Sequence, residues 1–283
     1  MSTEGPQFEK EFRRMDIEAG YKKAERMLNK FAIKTENFYD LYGRENVEKD
    51  LEYVKKMKSI FEKESSSEAG VLKRMSILFE TIIFDRSERS EWLGRDVVTI
   101  KTSHYDDIAN GVDLVAEFLI KEEKESFSHL AFAVDVTFSA ETDQKLKKIK
   151  KEIEEGKLST VKYFESEHVE FRGQMENLPR VVIAASAKTV EDLNELWLEK
   201  TKENTQKLNS HFIQFQMLEE IISQLKTFRN YAENLGQEKI RQKYDGLYNL
   251  VQDIYKKRKK DVKDPGDRDN VYYDLKRNLR HFE

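Results

Sequence analysis

Along the first third of the chain, apolar residues return at helical steps. Phe8, Phe12, Met15, Tyr21, Ala24, Leu28 and Phe31 recur three, four or six residues apart, as on one face of a helix. A second face runs through Val47, Leu51, Val54, Met57, Ile60 and Phe61. Serines 65–67 interrupt it and are placed to cap a third helix. On that helix Val71, Leu72, Met75, Leu78, Phe79, Ile82 and Ile83 form an amphipathic stripe, and Glu68 and Glu80 are available. The texture changes near Arg95. Val97, Val98 and Ile100 predict a strand, residues 103–107 a polar hinge, and Asn110-Gly111 a turn. Two apolar strands follow at 111–118 and 130–138, joined by a charged connector at 121–126. Residues 141–155 predict a helix with Leu146, Ile149 and Ile153 on one face and Gly156 as its stop. Residues 161–164 and 180–185 read as a strand pair. From Thr189 to about Tyr255 the chain is helical again, with Leu208, Phe212, Phe215, Leu218, Ile222, Leu225 and Tyr231 mostly three or four apart. That stripe suits an antiparallel partner helix, such as the N-terminal one, or a homodimer seam. Residues 264–267 form a turn ahead of a polar tail or short helix.

The order from 71 to 185 is helix, three strands, helix, two strands, which predicts an α+β fold with a small mixed sheet and helices against it. The expected division is an N-terminal helical region at 1–65, a core at 66–188, a long helical region at 189–255, and a basic run with a polar tail at 256–283. Each central strand carries an aspartate, Asp113 and Asp135. Carboxylates in such apolar runs are costly to bury unless paired, hydrogen-bonded or holding a metal. Alternation puts Asp113 with Val115 and Glu117, and Asp135 with Ala131, Ala133 and Thr137. Glu117 lies near its strand end, where exposure is the simpler account. Paired antiparallel, the two strands bring the aspartates to about 5 Å at the backbone. Two carboxylates that close repel unless a proton or cation sits between them. Mg²⁺ (or Mn²⁺) suits such oxygen ligands, and a water it holds is a nucleophile suited to phosphodiester cleavage, with a nearby lysine stabilising the developing charge. The alternative for each acid is a strand-end carboxylate paired with a lysine or capped by backbone N–H groups.

Composition narrows the classes. Of 283 residues, 37% are charged and 38% apolar, with 3 Pro and 11 Gly, a balance of helix-rich proteins with large solvated faces. A net charge of -4 gives no global pull toward nucleic acid, so such binding requires a local patch. The absence of cysteine excludes disulfides, thiolate metal sites and cysteine nucleophiles. No run reaches the roughly 20 apolar residues that span a bilayer, and the N-terminus lacks a secretory pattern. The expectation is a soluble cytoplasmic protein with no membrane partner. The five histidines show no ligand spacing, and no glycine-rich phosphate loop or nucleophile elbow occurs.

The ordering of elements, with Gly111-Val112-Asp113 on the second strand and Asp135-Val136-Thr137 on the third, resembles the PD-(D/E)XK nuclease superfamily over roughly residues 68–185. The resemblance implies a restriction-endonuclease-like core flanked by long N- and C-terminal helices. It also implies metal ligation by Asp113, Asp135 and the main-chain carbonyl of Val136, with help from a first-helix glutamate, for which Glu80 is the better candidate and Glu68 the weaker. Thr137 stands where the motif lysine belongs. In several branches that lysine has moved to the following helix, and here Lys145 flanks the apolar stripe near the helix start, with Lys148 an additional candidate further out. Asp106 and Asp107, just ahead of the first aspartate strand, are either further ligands or turn formers. Lys256, Lys257, Arg258, Lys259 and Lys260 are either phosphate contacts or a solvated helix end. The expected function is a divalent-metal-dependent nuclease acting on DNA or RNA. The alternative is an inactive nuclease-fold protein serving as a helical scaffold or a nucleic-acid- or protein-binding module.

Overall fold

The computed structural model describes residues 4–63, 67–120, 126–136 and 140–283, with side chains described throughout except at 4–15, 68, 69, 126, 133–136, 140 and 141. The described chain is mixed α+β. Helices α1 (Glu4–Phe31), α2 (Tyr39–Tyr42) and α3 (Arg44–Lys63) precede α4 (Glu68–Ser90), which Ser67 caps by accepting from the Gly70 N–H. The α4 stripe reads as the sequence predicts: Leu78, Phe79, Ile82 and Ile83 are all fully buried. Next come β1 (Val97–Lys101), β2 (Leu114–Ile120), β3 (Ser126–Val136), α5 (Ala140–Glu154), β4 (Ser159–Glu165), β5 (Arg172–Leu178) and β6 (Arg180–Ala185).

The main sheet runs β1-β2-β3-β6. β2 is antiparallel to β1 and β3, and β6 is parallel to β3. The C-terminal ends of β1, β3 and β6 therefore share one end of the sheet with the start of β2. Leu114, Ala116, Phe118, Leu130 and Phe132 pack in one apolar cluster with the α4 stripe. Ile100, Val115 and Ala131 face the other way, against Val161, Phe164 and Leu178 of the β4–β5 hairpin.

Two expectations about strands are corrected. Residues 161–164 and 180–185 do not pair: β4 pairs with β5 in a separate two-stranded sheet, and β6 joins the main one. Strand β5 escapes a hydrophobic reading because Arg172, Glu176 and most of its neighbours are polar and solvent-facing. The aspartate register also differs. Leu114 faces Phe132, and the Asp113 N–H donates to the Phe132 carbonyl at 2.9 Å. Asp135 lies further along, paired with Ala184 of β6, so the two aspartates are offset diagonally rather than directly opposed.

The expected long C-terminal helix is four: α6 (Ala187–Leu198), α7 (Lys202–Asn209), α8 (Ile213–Asn234) and α9 (Glu238–Asp261), followed by α10 (Asn270–Asn278). Ser186 and Thr201 cap α6 and α7. The apolar face of α8 is filled within the chain by α9 and β6, not by the N-terminal helix, which packs on α4 and α6. Polar side chains finish the sheet margins. On β6, Gln224 both accepts from the Val182 N–H (2.8 Å) and donates to its carbonyl (2.6 Å), Glu220 accepts from the Ala184 N–H, and Gln216 donates to the Ala184 carbonyl. On β1, Glu88 accepts from the Thr99 N–H at 2.7 Å, and the Ile33 N–H donates to the Lys101 carbonyl at 3.2 Å.

Candidate metal centre

At the shared strand end, α4 delivers Glu80, β1 ends in Lys101, and the connection to β2 carries Asp107 and Asp113. This connection is shaped locally by its own polar residues. The Ser103 hydroxyl accepts from the Asp106 N–H and donates to the Asp106 carboxylate at 2.7 Å, starting a π-helical turn over Asp106–Asn110. Gly111 closes the turn with φ +66°, in the left-handed region that glycine favours. Arg180 holds that corner by donating to the carbonyls of Asn110 (2.9 Å) and Gly111 (3.2 Å) while its other nitrogen meets Glu152.

Carboxylate oxygens of Glu80, Asp107 and Asp113 lie within 4.8 Å of one another. The Lys101 ammonium, 1% exposed, sits among them: 2.9 Å from Glu80 Oε1, 2.8 Å from Asp107 Oδ2 and 3.0 Å from the Asp113 carbonyl. Glu80 Oε1 is buried and accepts no well-formed hydrogen bond among the described residues, despite its closeness to Lys101. Burial pushes the Glu80 carboxyl up to about 8 against the opposing pull of Lys101. Burial also disfavours charge on Lys101, but Asp107, Glu80 and Asp113 outweigh it and hold the ammonium above the ordinary lysine value. At Asp107 the same contest goes to Lys101, which keeps that carboxyl below its usual range despite burial. Three carboxylates in one cluster suit a hard divalent cation such as Mg²⁺ or Mn²⁺.

The structure thus brings together Glu80, Asp113 and Asp107. The lysine seated among them is Lys101, not Lys145, which lies half-buried on α5. Lys101 belongs to the inward parity of β1, with Thr99 and Val97, all three buried. A lysine ending a buried apolar strand is as unusual as an aspartate in one, and that was the available signal. Asp106 is not part of the cluster. Its carboxylate is fully buried and saturated by donors from Ser103, Asn110 (2.7 Å), the Lys162 N–H (2.6 Å) and the Tyr163 N–H (3.0 Å), so it ties the turn to β4. Lys148 donates to the Asn110 carbonyl at 3.0 Å, bracing the turn beside Arg180. Val136 ends β3 opposite Ala185. The Asp135 side chain and Thr137 lie outside the described residues, as does the Glu68 side chain.

Two other expectations change. Glu117 is fully buried rather than exposed, accepting from Ser166 (2.7 Å) and paired with His129 (2.8 Å). The run 256–260 ends α9, with Arg258 turned inward to donate to Gln214 at 2.6 Å. Gly94, on the turn into β1, sits against Ile254 of α9, so the run lies toward the start of β1 and Lys101 at its far end, roughly 13 Å along the strand. Among the described residues no helix is long and apolar enough to cross a membrane. No family model matches the chain, and neither a curated protein nor a solved structure does.

Proposed function

We propose that this chain is a divalent-metal-dependent phosphodiester hydrolase acting on nucleic acid, with a core of restriction-endonuclease-like type. The observation that carries this reading is the cluster of Glu80, Asp107 and Asp113 around a buried lysine, at the end of a four-stranded mixed sheet. The sheet's order and directions, β1-β2-β3-β6 with β2 reversed, support it further. In this reading Glu80, Asp107 and Asp113 hold Mg²⁺ or Mn²⁺. When bound, the cation supplies Lewis-acid stabilisation of a phosphoryl oxygen and lowers the pKa of water. Lys101 places a fixed positive charge where the phosphorane's negative charge develops, the role otherwise assigned to Lys145. Burial of the cluster strengthens that interaction by excluding water.

A second reading rests on a specific observation: the Lys101 ammonium already neutralises part of the acid cluster, as in a structural ion-pair network. The protein is then a nuclease-fold binding module without turnover. The two are separated by incubating the full chain with single- and double-stranded DNA and RNA in Mg²⁺, Mn²⁺ or EDTA, beside Glu80→Gln, Asp113→Ala and Lys101→Met. Metal-dependent cleavage lost in all three variants is expected. Cleavage that persists in Asp113→Ala and Glu80→Gln rules out this site, and no cleavage together with no calorimetric Mn²⁺ binding favours the module.

A further inference from the structure

Helix α10 presents two unlike faces. Val271, Tyr272 and Leu275 are buried, and the helix packs on α8 and β6. Tyr273, Lys276 and Arg277, spaced at three and four residues, share the outer face, and the exposed Arg280 follows in the 3-10 turn Leu279–Phe282. Tyr273 is 58% exposed, the most exposed large hydrophobic side chain among the described residues. These residues line an open cleft of about 750 Å³. Its two acids, Glu219 and Asp264, are both engaged by Arg268, at 2.7 and 2.9 Å. Lys276 bonds the Tyr272 hydroxyl at 3.0 Å, and neither it nor Arg280 has an acidic partner among the described residues. Arg277 is paired with Asp274 on the same helix, so the uncompensated cations of the cleft are Lys276 and Arg280, beside an exposed ring, in a chain whose net charge is -4.

Its position matters as much as its charge. Asp269, the N-cap of α10, accepts from the Ser186 N–H at 2.7 Å, directly after the C-terminal end of β6. That is the end of the sheet where Lys101 closes β1, three strand spacings or roughly 14 Å away. Lysine-rich α5 joins the two places. Lys148 reaches the Asn110 carbonyl beside the acid cluster, and Lys150 reaches the His281 carbonyl just past α10 at 2.6 Å.

We propose that the α10 cleft seats single-stranded nucleic acid, with phosphates on Lys276 and Arg280 and a base stacked on Tyr273, and with the strand leading past α5 to the carboxylate cluster. The last clause rests on the nuclease reading; the cleft assignment does not. Exposed aromatic rings stack on any base, and lysine and arginine track the backbone without reading sequence.

The test is fluorescence anisotropy of the full chain with labelled dT and rU 12-mers in EDTA, over a salt series. The wild type should bind both oligonucleotides. Lys276→Ala/Arg280→Ala should weaken binding at least about tenfold and flatten the log–log salt slope by about 1.4, two phosphates at roughly 0.7 each. Tyr273→Ala should cost roughly 5- to 100-fold. All three side chains are exposed, so the fold is spared. The charge-matched control Lys55→Ala/Lys56→Ala, at exposed positions on α3, should bind like the wild type. No binding by the wild type, unchanged binding by the Lys276/Arg280 double variant, or an equal loss of binding in Lys55→Ala/Lys56→Ala would overturn the cleft assignment. Equally tight binding of a labelled polyglutamate would also overturn it, in favour of an acidic protein partner. Cleft-dependent binding without metal-dependent cleavage upholds the cleft and sinks only the nuclease reading.

Discussion

Replacing Lys101 with methionine removes one buried charge and leaves the carboxylates it balances. At 2.9 Å from Glu80 and 2.8 Å from Asp107, each pair carries about 6 kcal/mol of gross attraction at an effective dielectric of about 20. Most of that offsets desolvation of the three groups. The loss from breaking such a buried network by taking one partner is about 3–5 kcal/mol, because the remaining charge is uncompensated. For a chain of 283 residues that lowers the thermal midpoint by roughly 5–8 °C. The assay is scanning calorimetry in EDTA and again in 10 mM Mg²⁺ or Mn²⁺. If Glu80, Asp107 and Asp113 form a cation site, the divalent ion takes over the balancing role and raises the midpoint of Lys101→Met more than that of the wild type. Under the nuclease reading, cleavage should not return with stability, since the fixed ammonium is gone. Combining Lys101→Met with Glu80→Leu separates pairing from site: the double variant should recover much of the loss in EDTA but respond less to metal. A Lys101→Met protein that loses under 1 kcal/mol, or whose midpoint ignores divalent ions, would refute this account of the cluster.

Three further outcomes follow from the same structure. Asp106→Ala strands four donors in a buried turn and should cost about 2–4 kcal/mol by urea denaturation, while Mn²⁺ affinity of the folded fraction changes little. Gln224→Leu strips both backbone groups of Val182 of their partners and should cost about 2–3 kcal/mol in the same assay. Burial pushes the His211 imidazole down from its ordinary 6.5 to about 4, where its Nδ1 accepts from the Ile213 N–H. Between those values the unfolded chain binds a proton that the folded one does not, so this contribution is whole above 6.5 and falls away toward pH 4. The loss is at most about 3 kcal/mol, and His211→Asn, which keeps an acceptor, should flatten that limb of stability against pH.

The helices with a clean apolar stripe were readable in the sequence because packing on one side is what stabilises them; α4 and α5 bury the residues their spacing nominates. The breaks between α6 and α9 are marked by Thr201 and Gly236, but unbroken apolar periodicity across them masks these signals. Strand β5 was illegible since it contributes little to either apolar face. At the site, Glu80 and Asp113 were visible as acids within apolar runs. The difference between Asp106 and Asp107 was not, because adjacent residues of one type are sorted only by the π-helical turn, which sends one inward to β4 and the other toward Lys101. Lys101 is not distinguished by sequence alone, because a charge ending a strand is ordinarily solvated and only the fold brings Glu80 from α4 to it.

The side chains of Gln216, Glu220 and Gln224 on one margin of the sheet, and the Glu88 side chain with the Ile33 main-chain N–H on the other, have a consequence for association. An open strand is a template on which another chain can grow, and here both margins are occupied by groups that mimic a neighbouring strand. At β6 the N–H and carbonyl groups of Val182 and Ala184 are all taken, which opposes addition of a fifth strand there, and at β1 the Thr99 N–H and the Lys101 carbonyl are taken. Variants that lose the α8 glutamines would reopen the β6 margin, and their characteristic failure would be β-rich aggregates rather than simple unfolding.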